Sequence, residues 1–393
     1  MSPTTTTPPS WFRAEDCRLD DLRAVVEVET DPAAHPRARS IERGVPIYAT
    51  ADLVAAAEDG AERRELLGEL GTALMDGAGI VVVTDAVPVE VVDAVTEAFV
   101  AMVEEERDSE RGSGDHFAKP GANDRVWNVM EKLALREPDL FAAYYASPAI
   151  HLVSEAWLGP GFQITSQVNI VNPGGEAQAP HRDYHLGFLS DADAERYPPH
   201  VHRLSPALTL QAAVAHSDMP VETGPTTYLP HSQKYGPGYV AWRRPEFATY
   251  YAERHVQLPL AVGDSVYFNP AVLHAAGTNR TADRRRVANL LQVSSPFGRA
   301  MEAMDRMAMV RAVLPALRRR IEAGASTAEV ERVVVSMSEG YAFPSNLDLD
   351  HRIGELAPPS QAALILDALA EGWSDDDLLA RLADKATAQR MLP

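Results

Sequence analysis

Residues 180–188 read PHRDYHLGF. The stretch places His181 and Asp183 two positions apart in a segment whose composition predicts a strand, RDYHLGF. In an extended chain residues i and i+2 point to the same side, so an H-x-D pair aims two ligand atoms at one point. Two imidazoles and one carboxylate on one face of a metal, with positions left open for a co-substrate and dioxygen, make a non-haem Fe(II) centre. The triplet offers two of those three ligands. It is short enough to arise by chance, so its surroundings carry the weight.

Between Phe162 and Pro296 the texture is that of short β runs broken by proline and glycine. The predicted strands are QITSQVNIV, RDYHLGF, ALTLQAAVAH, TTYLPHS, SVYFNP and RRVANLLQV, separated by PGGEAQAP, MPVETGP and GTNRTADR. Many short strands with turn signals between them indicate a sandwich or barrel. Upstream, Ala51 to Met75 has the three-to-four-residue apolar spacing of a helix and ends at Gly77-Ala78-Gly79. A β-branched run, IVVVTDAVP from Ile80, predicts a buried strand, and the amphipathic VEVVDAVTEAFVAMVEEE a helix. The polar, glycine-bearing segment from Arg107 to Arg125 predicts a mobile loop. After Arg299 the pattern is helical again, and Ser374 with Asp377 three residues on predicts a capped helix start. The expected organisation is a tail and extension over 1–50, a domain over 51–300 and a helical extension over 301–393. The expected class is α+β, a mainly β core with α additions.

With 36 basic against 56 acidic side chains the formal charge is −20, which disfavours nucleic acid and anionic membranes as partners. The single cysteine, Cys17, rules out an intrachain disulfide and a cysteine-rich metal site. The opening MSPTTTTPPSW lacks the basic start and apolar run of a signal peptide, and no apolar stretch approaches the roughly 18 residues of a membrane span. A cytoplasmic location is expected.

A third ligand must come from elsewhere, and His274, just after SVYFNP, is the first choice. Strands distant in sequence are neighbours in a closed antiparallel sheet, so the intervening length is no obstacle. The rivals are His185, on the same predicted strand face as His181 and Asp183, and His216, His231 and His255. Gln167 and Asn169 alternate inward if their face of QVNIV lines the interior, where a buried amide either binds ligand or joins the sheet.

Three blocks together resemble the phytanoyl-CoA dioxygenase family of Fe(II)- and 2-oxoglutarate-dependent oxygenases. They are GAGIVVVTDAVPVEVVDAVTEAF; VNPGG followed by PHRDYHLGF; and ETGPTTYLPHSQKYGPG through VGDSVYFNPAVLHAAGTNRTADRRR. The likeness spans roughly Gly71 to Pro296. It implies a double-stranded β-helix, a cupin-like jelly roll, with flanking N- and C-terminal helices. It implies His181, Asp183 and His274 as metal ligands and catalytic residues, with Fe(II), 2-oxoglutarate and O2 as cofactors. An arginine eleven positions after the distal histidine, here Arg285, is implied as the partner of the far carboxylate, since a guanidinium fork supplies two charge-assisted bonds to a buried carboxylate. Strand alternation then turns Arg284 and Arg286 to the opposite face, with Arg286 the alternative register. Gln211 falls where the family's co-substrate pocket is lined, and Gln167 and Asn169 join it as candidates. Trp127, Asn128 and the loop around Lys119 are candidates for the substrate border, or for ordinary packing. Leu-Pro-His-Ser at 229–232 departs from the family's usual Pro-Gly-Ser-His.

The implied chemistry is hydroxylation or desaturation of an aliphatic carbon of a small-molecule metabolite, with release of succinate and carbon dioxide. The aspartate in the ligand set sets it apart from related halogenases, where a small residue leaves room for chloride. The C-terminal helices are expected to cap the pocket or to form a homodimer interface. Two other classes remain: a Zn(II) cupin-type hydrolase or isomerase using His181, Asp183 and His185, and a metal-free barrel acting as a binding module.

Overall fold

The computed structural model describes residues 11–108, 122–350 and 354–390. Its strands, in chain order, are β1 (Ser40–Glu42), β2 (Val45–Ala49), β3 (Ile80–Thr84), β4 (Asn123–Val126), β5 (Gln163–Val171) and β6 (Thr209–Ala215). They continue with β7 (Thr227–Leu229), β8 (Val256–Gln257), β9 (Ser265–Phe268), β10 (Leu273–Ala275) and β11 (Arg286–Ser294). Eight form a large sheet in the order β1-β2-β3-β9-β6-β11-β5-β4, and three form a small sheet in the order β10-β7-β8. The architecture is mixed α+β.

Period-two alternation gives the large sheet two distinct buried faces. Val81, Val83, Val214, Leu291, Val168 and Ile170 point to one side and pack against the helices Val89–Asp108, Pro138–Tyr145 and Arg306–Glu322, among others. Ile80, Val82, Ala213, Val266, Phe268 and Ala288 point to the other, where they meet Tyr228 and Val272 of the small-sheet side. Full burial of one such aliphatic side chain contributes about 1.5–3 kcal/mol. The helices beyond residue 301 belong to the first of these clusters, through Met309, Val313, Leu317, Val333, Ile365 and Leu378. Ser374 caps the last of them by accepting the N–H of Asp377 at 3.1 Å, as its spacing predicts.

Two local expectations are corrected. The run RDYHLGF is not a strand: Tyr184 adopts φ +36°, and the chain turns into a short 3-10 helix at Leu186–Phe188. Only His181 pairs in ladder fashion, as a single bridge to His274. Within the expected extension, β1 and β2 add two strands to the large sheet, β2 running parallel to β3. Pro46 hides that strand, since a proline inside a short run argues against one; its pairing to β3 begins one residue later, at Ile47. The predicted loop ends in β4, while its residues 109–121, Lys119 included, lie outside the described set. No helix among the described residues is long and apolar enough to cross a membrane.

Candidate metal centre

His181 and His274 are 93 residues apart and become cross-strand neighbours through two reciprocal backbone bonds, His181 N–H to His274 O at 2.9 Å and His274 N–H to His181 O at 3.0 Å. Their ring centroids are 4.5 Å apart. Two residues on, Asp183 donates its backbone N–H to Pro270 O at 3.0 Å and turns its carboxylate toward both rings. Oδ1 is 3.8 Å from His181 Nε2, and Oδ2 is 3.5 Å from His274 Nε2. The three ligand atoms lie within 4.8 Å of one another, the one such grouping of three or more His, Cys, Asp or Glu among the described residues.

The surroundings set the protonation states that metal binding needs. His181 Nδ1 bonds Ala179 O at 2.8 Å and His274 Nδ1 bonds Val272 O at 2.9 Å. A carbonyl can only accept, so each Nδ1 carries the proton and each Nε2 presents a lone pair to the centre. Burial holds the His181 imidazolium below its ordinary range, with His274 adding to the effect and Asp183 opposing it. Burial alone would raise the Asp183 carboxyl. With the rings protonated, the hydrogen bond with His274, the charges of both histidines and the Gln211 amide outweigh it and bring the carboxyl down to about 2; with the rings neutral, the Gln211 amide remains as its donor at 2.6 Å. Two neutral nitrogens and one ionised oxygen on one face are the donor set of a non-haem iron site.

Arg182, between the two ligands, points away from the metal side and is fully buried. Its Nη2 donates to the carbonyls of Ser232 and Tyr235, and its guanidinium lies 5.4 Å from the Tyr239 ring centroid. The Tyr239 hydroxyl is shared between the carbonyls of Asp183, at 2.9 Å, and Tyr184, at 2.6 Å. A Cβ at Gly238 would stand 1.9 Å from the Arg182 guanidinium carbon, so any larger residue there would force the buried guanidinium to shift. In the Leu-Pro-His-Ser element, Ser232 Oγ accepts Leu273 N–H at 2.8 Å, while the buried His231, at φ +67°, meets Thr30 Oγ1 at 3.2 Å.

Between the two sheets lies a cavity lined by Asn169, Arg286, Tyr228 and Thr226 with Leu258, Leu260 and Val266. Arg285 is exposed to solvent, whereas Arg286 is 6% exposed and faces this cavity. The expected register is therefore shifted by one: β11 begins at Arg286, whose partner in β5 is Val171, and the cavity face of β11 runs 286, 288, 290. Arg286 has no salt-bridge partner among the described residues, its Nη1 is buried without a hydrogen bond, and burial pushes the guanidinium down to about 10. Tyr228, beside it, is the register partner of His274 across β7 and β10. The cavity thus adjoins the metal cluster.

The amides divide. Asn169 lines the cavity with Nδ2 unpartnered, and Gln167 faces the same interior but holds Arg125 Nη1 at 3.0 Å. Gln211 reaches the ligand itself, donating Nε2 to Asp183 Oδ2 at 2.6 Å. The rival histidines are elsewhere. His216 is buried between Thr96 and Tyr144, at 2.8 Å from each, and His255 bonds Tyr251 O at 3.1 Å. His185 lies beyond the turn at Tyr184, its backbone N–H on Ser205, outside the ligand group. Trp127 and Asn128 follow β4, and Asn128 meets a residue that sequence reasoning missed, Glu302, whose irregular segment carries no motif.

The family model for phytanoyl-CoA dioxygenase (PhyH) matches residues 75–287, just over half of the chain. The chain belongs to this family. Iron and 2-oxoglutarate are the cofactors of these oxygenases, and the His181–Asp183–His274 cluster offers the donors that iron takes. Curated protein sequences provide no match. Among solved structures, the chain is similar to the non-heme alpha ketoglutarate dependent epimerase SnoN from nogalamycin biosynthesis, at 21% identity and a TM-score of 0.40 over 61% of this chain and 82% of that one. SnoN in complex with Fe3+, alpha ketoglutarate and nogalamycin RO gives 21% and 0.39, over 61% and 85%. The carbocyclase SnoK from the same biosynthesis gives 19% and 0.41, over 57% and 83%.

Proposed function

We propose that this member of the phytanoyl-CoA dioxygenase family is a cytoplasmic Fe(II)- and 2-oxoglutarate-dependent dioxygenase that hydroxylates or desaturates an aliphatic carbon of a small metabolite, releasing succinate and carbon dioxide. The observation that carries the proposal is the pairing of an iron-type ligand cluster with an unpaired buried guanidinium in the adjoining cavity. A buried charge without a partner is costly, and a dicarboxylate held at the cluster by one end relieves that cost with the other. We read the two facing sheets as the walls of a jelly roll, with the cofactor cavity between them.

Bound iron and 2-oxoglutarate supply the oxidation of an unactivated C–H bond by dioxygen. The chain's own residues do the rest. His181 and His274 present Nε2 lone pairs because backbone carbonyls hold their Nδ1 protons, and Gln211 steadies the ionised Asp183. Arg286 grips the distal carboxylate of 2-oxoglutarate, and Asn169 has an amide donor to spare beside it. Leu258, Leu260 and Val266 keep that end of the cavity dry, which strengthens the ionic contact. Asp183 fills the position that a halide would need, which supports oxygen chemistry over halogenation.

The test is anaerobic titration with Fe(II) followed by a screen of metabolites for stimulated succinate release, with Asp183→Ala as the control. Stimulated succinate release that survives Asp183→Ala, or turnover by the Zn(II)-loaded protein without dioxygen, would sink the proposal.

A further inference from the structure

Two strand spacings across the large sheet from the metal cluster, a second set of buried polar groups faces the interior. Gln211 on β6, Gln292 on β11 and Thr165 on β5 stand in one register row. Gln211 touches Asp183, Gln292 accepts from the Tyr184 hydroxyl at 2.9 Å, and Thr165, whose hydroxyl donates to Gln292 O at 3.2 Å, lies beside Glu302. At about 4.8 Å per strand, Gln211, beside Asp183, and Thr165, beside Glu302, stand roughly 10 Å apart. The charge of Glu302 is felt by Tyr184, the residue after Asp183.

Glu302 is held but not satisfied. Oε1 accepts the backbone N–H of Asn128 at 2.5 Å, and Asn128 adopts φ +55°, a backbone conformation that L side chains seldom take, to deliver it. Oε2 is buried and has no hydrogen-bond partner. Of the two cations whose charge reaches it, Lys132 is committed to Glu106 and Arg125 donates to Gln167 Oε1 at 3.0 Å, and Glu302 has no salt bridge among the described residues. Asn128 spends its Nδ2 on Glu131 at 2.9 Å, which leaves Oδ1 buried and unpartnered. Gln167, 1% exposed, has a free Nε2 on the same interior face. Two acceptors on the bonded pair Glu302 and Asn128, one of them a carboxylate, and one donor on the interior face of β5 two residues along from Thr165 are thus unpaired. Buried polar groups are otherwise paired in more than nine cases in ten, so an unpaired set calls for a ligand.

We propose that Glu302 Oε2 and Asn128 Oδ1 receive a protonated amine of the substrate, with Gln167 Nε2 donating to a carbonyl or carboxylate beside it, so that the substrate is an amine-bearing metabolite of the amino-acid class. This deepens the dioxygenase reading and rests on it for the site of oxidation. The amine anchors one end, and the carbon to be oxidised extends along the Thr165–Gln292–Gln211 row toward the metal.

The test uses the full-length protein loaded anaerobically with Fe(II) and 2-oxoglutarate. Three probes of one length, n-pentylamine, 1-pentanol and pentanoate, are titrated by thermal shift. The amine is expected to bind about tenfold or more tightly than either of the others, the usual margin for a charged hydrogen bond. Glu302→Gln, which keeps shape and folding, is expected to bring amine and alcohol within about twofold. Equal binding of alcohol and amine by the natural protein, a preference for pentanoate, or an amine preference that survives Glu302→Gln overturns the proposal. Titration of the natural protein with 2-oxoglutarate alone reports separately on the dioxygenase reading, so amine selectivity without 2-oxoglutarate binding supports the subsite while removing that reading.

Discussion

The Gln211 side-chain amide, carried on the large sheet, donates to Asp183 Oδ2 at 2.6 Å, across the interior from the segment that holds the ligand. One hydrogen bond therefore ties the metal carboxylate to the wall opposite its own backbone. Partners of this kind fix ligand orientation, and their loss typically costs 10- to 100-fold in metal affinity. Gln211→Leu is expected to weaken Fe(II) or Co(II) binding by about that factor with little change in secondary structure. Competitive titration with a chelator checks it; unchanged affinity would show the bond to be incidental.

The two neighbouring arginines make opposite predictions. Arg286→Ala is expected to weaken 2-oxoglutarate binding about 10- to 100-fold, the range for one bidentate charge-assisted contact. Arg285→Ala, a change at an exposed position, is expected to stay within about twofold. Anaerobic calorimetry on the metal-loaded protein distinguishes them, and a larger effect at 285 would restore the other register.

Glu302 also links stability to pH. Burial raises its carboxyl from an ordinary value near 4.5 to about 7, opposed by Asn128 and by Lys132. A folded value above the unfolded one means that this group's contribution is fully present below pH 4.5 and is lost as pH rises toward 7. Glu302→Gln removes that loss. The variant is expected to gain about 1–2 kcal/mol over the natural protein at pH 8, part of the carboxylate being solvated, and nothing at pH 4. Denaturant midpoints at the two pH values check it, and a gain confined to low pH would contradict it.

Arg182 is predicted to position the ligand segment from behind. Gly238→Ala puts a Cβ 1.9 Å from the guanidinium and is expected to cost about 1–3 kcal/mol, with a measurable drop in metal affinity. Gly60→Ala, at a helix start with open space around it, serves as the control and is expected to be neutral or slightly stabilising. Equal effects at the two positions would mean that the contact with Arg182 is easily relaxed.

Several features were legible in the chain itself because they depend on neighbours only. The inward face of Gln167 and Asn169 on β5 and the Ser374 cap follow from local backbone periodicity and side-chain chemistry, and the H-x-D pair marks His181 and Asp183 as candidate ligands although the strand predicted for them does not form. Others depend on which segments meet. Strand alternation says that one of two adjacent arginines faces inward, but a one-residue slip exchanges every side chain between faces. Only the pairing of β11 with β5 and β6 selects Arg286 over Arg285. The same holds for Glu302, whose irregular segment has no motif and acquires meaning from Asn128 and Thr165, residues more than a hundred positions away. Local residue chemistry alone marks His181 and Asp183 as candidate ligands. The tertiary structure decides that His274 lies beside them, that Arg286 faces the cavity and that Glu302 meets Asn128, because those contacts depend on long-range register that no local pattern encodes.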